Sequence, residues 1–212
     1  MTDTLTRRRL LAGVGAAGLG ACAPRVPAIV RQQDGSDVLR TEDGPVSIDG
    51  RDPQLGPRDA RVLIVVFSDF ECPFCAGAAT MLKQLQADRP KTRLAFKHHP
   101  LVRHNRARAL ALFAQSVHFA RGNDAFWRVH DRIFSSVEVP SDEVLLAWAA
   151  ELGLAKYDLD AQAAWSEEKL RVDAELAERL NISATPHLFV NARSISGLPA
   201  YEALREAVDQ AT

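Results

Sequence analysis

Cysteine is scarce in this chain: among 212 residues it occurs only at positions 22, 72 and 75. A small disulfide-stapled scaffold would need more, evenly paired, so the mature domain is expected to fold without a structural cross-link. Cys72 and Cys75 are thereby left free for chemistry. Net charge is equally scarce, at −1. That excludes a global basic field for nucleic acid and an acidic excess for a cationic partner. Arg103, Arg106 and Arg108 read as a solvated helix face. No apolar run reaches the ~20 residues a membrane-spanning helix needs, and no internal repeat is visible. The composition is otherwise ordinary, 47% hydrophobic and 25% charged, which suits one core with an insertion.

What is present begins with an address. Arg7, Arg8 and Arg9 precede the uncharged, Leu/Ala/Gly-rich stretch Leu10 to Ala21, so residues 1–22 read as a signal segment. Leu19-Gly20-Ala21-Cys22 resembles a bacterial lipoprotein cleavage box. Cys22 would become the lipidated N-terminus and give membrane contact through a lipid anchor. An ordinary signal peptide with an incidental cysteine is the alternative. Thr6 to Leu11 also resembles a twin-arginine signal, although the general secretory route fits as well. By either route the mature chain is expected to be exported, to a periplasmic or cell-envelope compartment that is oxidising.

Residues 23–56 carry Pro24, Pro27, Pro45 and Pro53 with little periodicity. They read as a tether and irregular lead-in, with one short strand from Pro45 to Ile48. The folded domain is expected over 57–212. Val62 to Phe67 is a continuous apolar, β-branched run, as in a strand buried on both faces. A helix follows from Cys72–Pro73 to about Ala87, with Phe74, Ala78, Met81, Leu82 and Leu85 as its apolar stripe. Thr92 to Lys97 completes a strand–helix–strand unit. From about 103 to 180 the pattern is helical, the last stripe being Leu170, Ala174, Ala177 and Leu180. Strands at His187–Val190 and Ser194–Ser196 and a final helix close the chain. Strands on both sides of an all-helical block imply an α/β fold with a helical insertion.

Cys72-Pro73-Phe74-Cys75 places one cysteine at a helix start and the other a turn later, close enough to bond. Unpaired N–H groups and the positive end of the helix dipole stabilise a thiolate there. Pro73 fits the first helical position, where a missing N–H costs nothing. Cys72 is expected to be the more exposed, attacking sulfur and Cys75 the covered, resolving one. Glu71, next door, opposes the thiolate. The rival reading is half of a zinc site completed by two of His98, His99, His104, His118, His130 and His187. With no second Cys-x-x-Cys, the redox pair is preferred, with no metal and no cofactor. His118 and His130 read as core or boundary residues.

Phe67-Ser68-Asp69-Phe70-Glu71-Cys72-Pro73-Phe74-Cys75 resembles the active-site segment of the DsbA-like thioredoxin-fold family. Ala184-Thr185-Pro186-His187-Leu188-Phe189-Val190-Asn191 resembles its Thr-Pro loop and following strand, and Ala125 to Phe134 one of its helices. The resemblance, over roughly residues 57–210, implies a thioredoxin fold with an all-helical insertion and a thiol–disulfide oxidoreductase. It implies a cis Pro186 beside the cysteines and a Thr185 backbone that offers a strand-like edge to substrate. Pro73, Phe74 and His187 are assigned to docking or to tuning Cys72. The expected partners are cysteine-containing exported polypeptides and an unidentified redox partner, with the chain a monomer and oxidase the preferred direction over reductase or isomerase. One departure stands out: relatives often carry Glu where this chain has Val66, so resolution by Cys75 is expected to be slower or more pH-sensitive.

Overall fold

Every residue of β5 (Val62–Ser68) is buried, and so is every residue of β6 (Thr92–His98). Such strands need cover on both faces, and the rest of the chain supplies it. The computed structural model describes residues 28–211. The signal segment, Cys22 and the first residues of the expected tether lie outside them. β5 and β6 run parallel, joined by α1 (Pro73–Asp88), with Val66 opposite Phe96. The N-terminal β4 (Gln54–Leu55) flanks β6, and the C-terminal β7 (His187–Val190) and β8 (Arg193–Ser196) lie beyond β5. The sheet order is β4-β6-β5-β7-β8, antiparallel except for the central pair.

On one face, Val62, Ile64, Val66, Leu94 and Phe96 pack against α1, the helical block and the C-terminal α7 (Tyr201–Gln210). The buried stripe of α1 is Cys75, Ala78, Met81, Leu82 and Leu85. Each large apolar side chain in it contributes about 1.5–3 kcal/mol through burial. Phe74, expected in that stripe, is 62% exposed instead. Helical spacing gives the inward place to Cys75 and turns its neighbour out.

The insertion comprises α2 (Ala107–Arg121), α3 (Asn123–Ser135), α4 (Asp142–Glu151), α5 (Lys156–Asp160) and α6 (Ala163–Arg179). Ser141 caps α4, its hydroxyl accepting from the Val144 amide at 3.4 Å. In α6 the expected stripe shifts: Ala174 is exposed, whereas Lys169 and Asp173 are buried. The arginines around the start of α2 are ion-paired, Arg106 with Asp142 at 2.6 Å and Arg108 with Glu167.

Residues 28–56 are the main correction. The strand expected from Pro45 to Ile48 is present as β3 (Gly44–Ile48), but it is joined by β1 (Ile29–Arg31) and β2 (Asp37–Thr41) in an antiparallel sheet in its own right. Leu39, Val46 and Ile48 are fully buried against Leu63, Val65, Phe67 and Phe189, on the second face of the main sheet. β6 also sends cations to this side. Arg93 meets Asp37 at 2.5 Å, and Lys97 meets Asp52 at 2.6 Å and the Ser47 carbonyl at 2.8 Å. Lys169 of α6 shares Asp52 at 2.8 Å and also pairs with Asp173. Just after β4 the chain turns at Gly56, at φ +92°, where a Cβ would stand 2.3 Å from the Thr92 carbonyl oxygen of β6.

Candidate active site

β5 ends at Ser68, and the next four residues turn the chain into α1. Asp69 fixes that turn. Its buried carboxylate accepts from the Glu71 amide at 2.8 Å and the Leu101 amide at 2.7 Å, and lies 2.8 Å from His104 Nδ1. Glu71 does not face the thiols: its carboxylate accepts from the backbone amide of Arg106, just before α2. Both carboxylates nearest the motif are therefore engaged in holding loops.

Cys72 is the N-cap of α1, with Pro73 at the first helical position. Its carbonyl accepts from the Cys75 and Ala76 amides at 3.0 and 3.2 Å. Its Sγ lies 3.4 Å from the carbonyl oxygen of Thr185, and the Thr185–Pro186 peptide is cis. Both cysteines are buried, Cys72 at 3% exposure and Cys75 at 1%. The expected contrast in exposure is absent because the Thr185 loop covers Cys72 as well.

The two sulfurs differ in setting. Cys75 Sγ sits behind the turn, 3.5 Å from the Asp69 amide. Burial pushes its thiol up to about 12, although the Ser68 hydroxyl and the Asp69 amide favour the thiolate. Phe74 is exposed beside the motif, and so is Leu198, 42% accessible, against which a Cβ on Gly77 would press at 2.9 Å. Together they give the site an apolar rim.

His187 is not part of this constellation. Its Nε2 lies 2.9 Å from Ser194 Oγ on β8 and 3.9 Å from Asp43, and burial holds its pKa below the usual range. Of the histidines weighed as zinc ligands, His98 bonds Gln115 at 2.9 Å and His104 bonds Asp69. No three His, Cys, Asp or Glu side chains converge as a metal site among the described residues. Ser68 was not singled out in the sequence, yet its hydroxyl lies close enough to Cys75 to favour the thiolate. Strand alternation held the signal, since Ser68 shares the α1 side with Val66.

Residues 63–209 match the family described as DSBA-like thioredoxin domain. Disulfide bond formation protein D of Bacillus subtilis is 27% identical over 192 residues, covering 85% of this chain and 84% of that protein. Na(+)/H(+) antiporter NhaA 3 of Salinispora tropica is 31% identical over 160 residues. That match takes in 74% of this chain, but this chain spans only about a quarter (24%) of the antiporter's length. Among solved structures, the thiol-disulfide exchange protein alpha-DsbA2 of Wolbachia pipientis superposes with a TM-score of 0.70 at 24% identity, covering 77% of this chain and 89% of that one. The catalytic domain of Proteus mirabilis ScsC gives 0.68 at 22%, covering 77% and 90%. These structures share the fold, and the family match extends from β5 through α7, across the cysteine pair and the cis proline. The chain belongs to the DsbA-like thioredoxin domain family, a family of thiol–disulfide oxidoreductases.

Proposed function

We propose that the chain is a dithiol oxidase that introduces disulfides into exported polypeptides through Cys72 and Cys75. One observation carries the assignment of the pair: Cys72 Sγ lies at the helix start against the Thr185 carbonyl, with Cys75 one turn behind it and sealed from solvent. In the oxidised enzyme, a substrate thiolate attacks Cys72 Sγ. The Cys72–Cys75 bond breaks and Cys75 leaves. A second substrate thiolate then attacks the mixed disulfide at the substrate's own sulfur. The substrate disulfide forms, and Cys72 departs as the thiolate with the electron pair. An unidentified partner reoxidises the enzyme. Thr185 and Pro186 shape the docking edge, and exposed Phe74 contributes apolar contact at its rim.

Oxidase is favoured over reductase or isomerase on two grounds. The Bacillus subtilis relative is named for disulfide bond formation. The segment ahead of the domain buries its apolar side chains against its own core instead of presenting a dimerisation module. Export fits the basic and apolar segment at residues 1–22, with Cys22 as a lipid anchor; a structural relative from Salmonella enterica is itself described as periplasmic. Cys75→Ser should accumulate mixed disulfides through Cys72. A reduction potential near about −120 mV supports the oxidase, and one near about −270 mV, the thioredoxin level, overturns it in favour of a reductase.

A further inference from the structure

Resolution of a mixed disulfide asks more of Cys75 than of Cys72. The Cys75 thiol must lose a proton before its sulfur can attack, and must regain one when the reaction runs the other way. Burial opposes that loss, holding the thiol at about 12. The two nearest carboxylates are committed elsewhere, Asp69 to Glu71, Leu101 and His104, and Glu71 to the Arg106 amide. Val66, beneath the pair, carries no acid.

A cavity of about 170 Å³ lies behind Cys75. Its walls include Ser68 and Val66 of β5, Gln86 of α1, and His130 and Asp131 of α3. At roughly 30 Å³ per water, it has room for several. Gln86 gives the wall an unsatisfied polar atom. Its amide nitrogen donates to the Thr92 carbonyl at 2.9 Å, but its buried Oε1 has no partner within the protein. Buried acceptors of this kind are satisfied by ordered water. Ser68 supplies a hydroxyl beside the Cys75 sulfur.

His130 is 5% exposed and set among the rings of Phe70, Phe96, Trp127 and Phe134. Its Nδ1 lies 3.0 Å from Asp131 Oδ1, and the second Asp131 oxygen lies 2.6 Å from Lys83 Nζ on α1. Asp131 thus orients the imidazole with Nδ1 protonated, which makes Nε2 the basic nitrogen. The ionisable groups around it are Asp131 on its own helix, and Lys83 and Cys75 on α1. From β6 it meets the Phe96 ring, with His98 on another side of that ring. Burial keeps the imidazole neutral near pH 7 and so able to accept a proton.

We propose that His130, oriented by Asp131 and connected to Cys75 through water in this cavity, is the positioned proton acceptor and donor for the buried thiol. The proposal rests on Cys75 being the resolving cysteine. In resolution, the Cys75 proton passes through water to His130 Nε2 and the Cys75 thiolate attacks Cys72 Sγ. The Cys72–Cys75 bond forms, the Cys72–substrate bond breaks, and the substrate leaves as a thiolate with the electron pair. In the reverse direction, the proton returns to Cys75 as the internal disulfide opens.

Rapid mixing of the reduced full chain with a peptide dimer joined by one disulfide separates two steps: attack of the Cys72 thiolate on that disulfide, which forms the mixed disulfide and releases one peptide thiolate, and resolution by Cys75, which releases the other. His130→Phe should leave formation unchanged and slow resolution about tenfold to a hundredfold, the range of a positioned proton acceptor. Its resolution rate should then rise in proportion to hydroxide across the accessible pH range, whereas the wild type levels off once the imidazole is neutral. Asp131→Asn, at a half-exposed position, should give a smaller slowing in the same step, and free imidazole should rescue His130→Ala. A folded His130→Phe with the wild-type resolution rate and pH profile, or a His130→Ala that imidazole does not rescue, overturns the relay. A wild-type chain that forms no mixed disulfide at Cys72 overturns the redox reading itself, and the relay with it.

Discussion

The two faces of the central sheet solve the same burial problem with opposite materials. Towards α1 and α3 the cover is aliphatic and aromatic: Phe70 and Phe96 stack at 5.5 Å, and Phe96 meets Phe126 edge-on at 5.2 Å. Towards the N-terminal sheet and α6 the cover includes charge, with Arg93, Lys97 and Lys169 matched by Asp37, Asp52 and Asp173. The apolar face carries the cavity and Cys75. The charged face ties three separate parts of the chain together. Buried ion pairs are weak sources of net stability, yet breaking one is costly because it strands the other charge. The charged face is therefore the more brittle, and the apolar face is where function can be tuned.

The largest test of this contrast is Asp52→Ala, which removes the carboxylate shared by Lys97 and Lys169. It should destabilise the fold by about 3–5 kcal/mol in denaturant unfolding while leaving the Cys72–Cys75 potential unchanged. A loss below about 1 kcal/mol would show that the cluster is not the tie described. Next is Val66→Glu on the apolar face. A carboxyl buried there should cost about 1–3 kcal/mol, yet speed mixed-disulfide resolution by opening a second proton path into the cavity. An unchanged resolution rate would mean that Val66 does not limit the reaction.

Acid should separate the faces more gently. Burial pushes His98 down to about 3, with Lys169 adding to the effect, and also lowers His118 and His130. Unfolded histidine titrates near 6.5, so between about 6.5 and 3 the unfolded chain binds more protons than the folded one. Stability should fall as pH falls through that window, by at most about 1.4 kcal/mol per pH unit for each histidine. On the other face, burial pushes Asp52 up, but Lys169 and Lys97 hold it well below the usual carboxylate range. Its contribution is present above the ordinary carboxylate value and is lost only at lower pH. Calorimetry from pH 7 to 4 should show the histidine limb first, with the Asp52 loss appearing only at lower pH.

The apolar face was largely legible in the sequence. An unbroken β-branched strand, a Cys-Pro-Phe-Cys helix start and a helical block between strands led to the fold, and the cysteine pair and Pro186 came to lie together. The charged face was not. Its strands are short and interrupted by Pro45 and Gly44, and its inward set Asp37, Leu39, Val46 and Ile48 mixes a carboxylate with aliphatics. The two-residue turn at Glu42–Asp43, with Thr41 opposite Gly44, was the available hairpin signal. Lys97 in a wholly buried strand was another, since a buried ammonium demands a partner. Phe74 was misplaced because a cysteine was counted as chemistry rather than as core. His130 was legible as buried, but only the cavity joins it to Cys75, and a void leaves no mark in a linear pattern.

Gly56 sits between β4 and β5, where the backbone presses against β6. No side chain can be added there without a collision with the backbone of β6, and its positive φ disfavours any other residue besides. In a saturation mutational scan, position 56 should tolerate almost nothing although it lies outside the redox site. A map of mutational intolerance would therefore mark a close backbone contact as plainly as it marks the cysteines, and only separate readouts of abundance and turnover would tell the two apart.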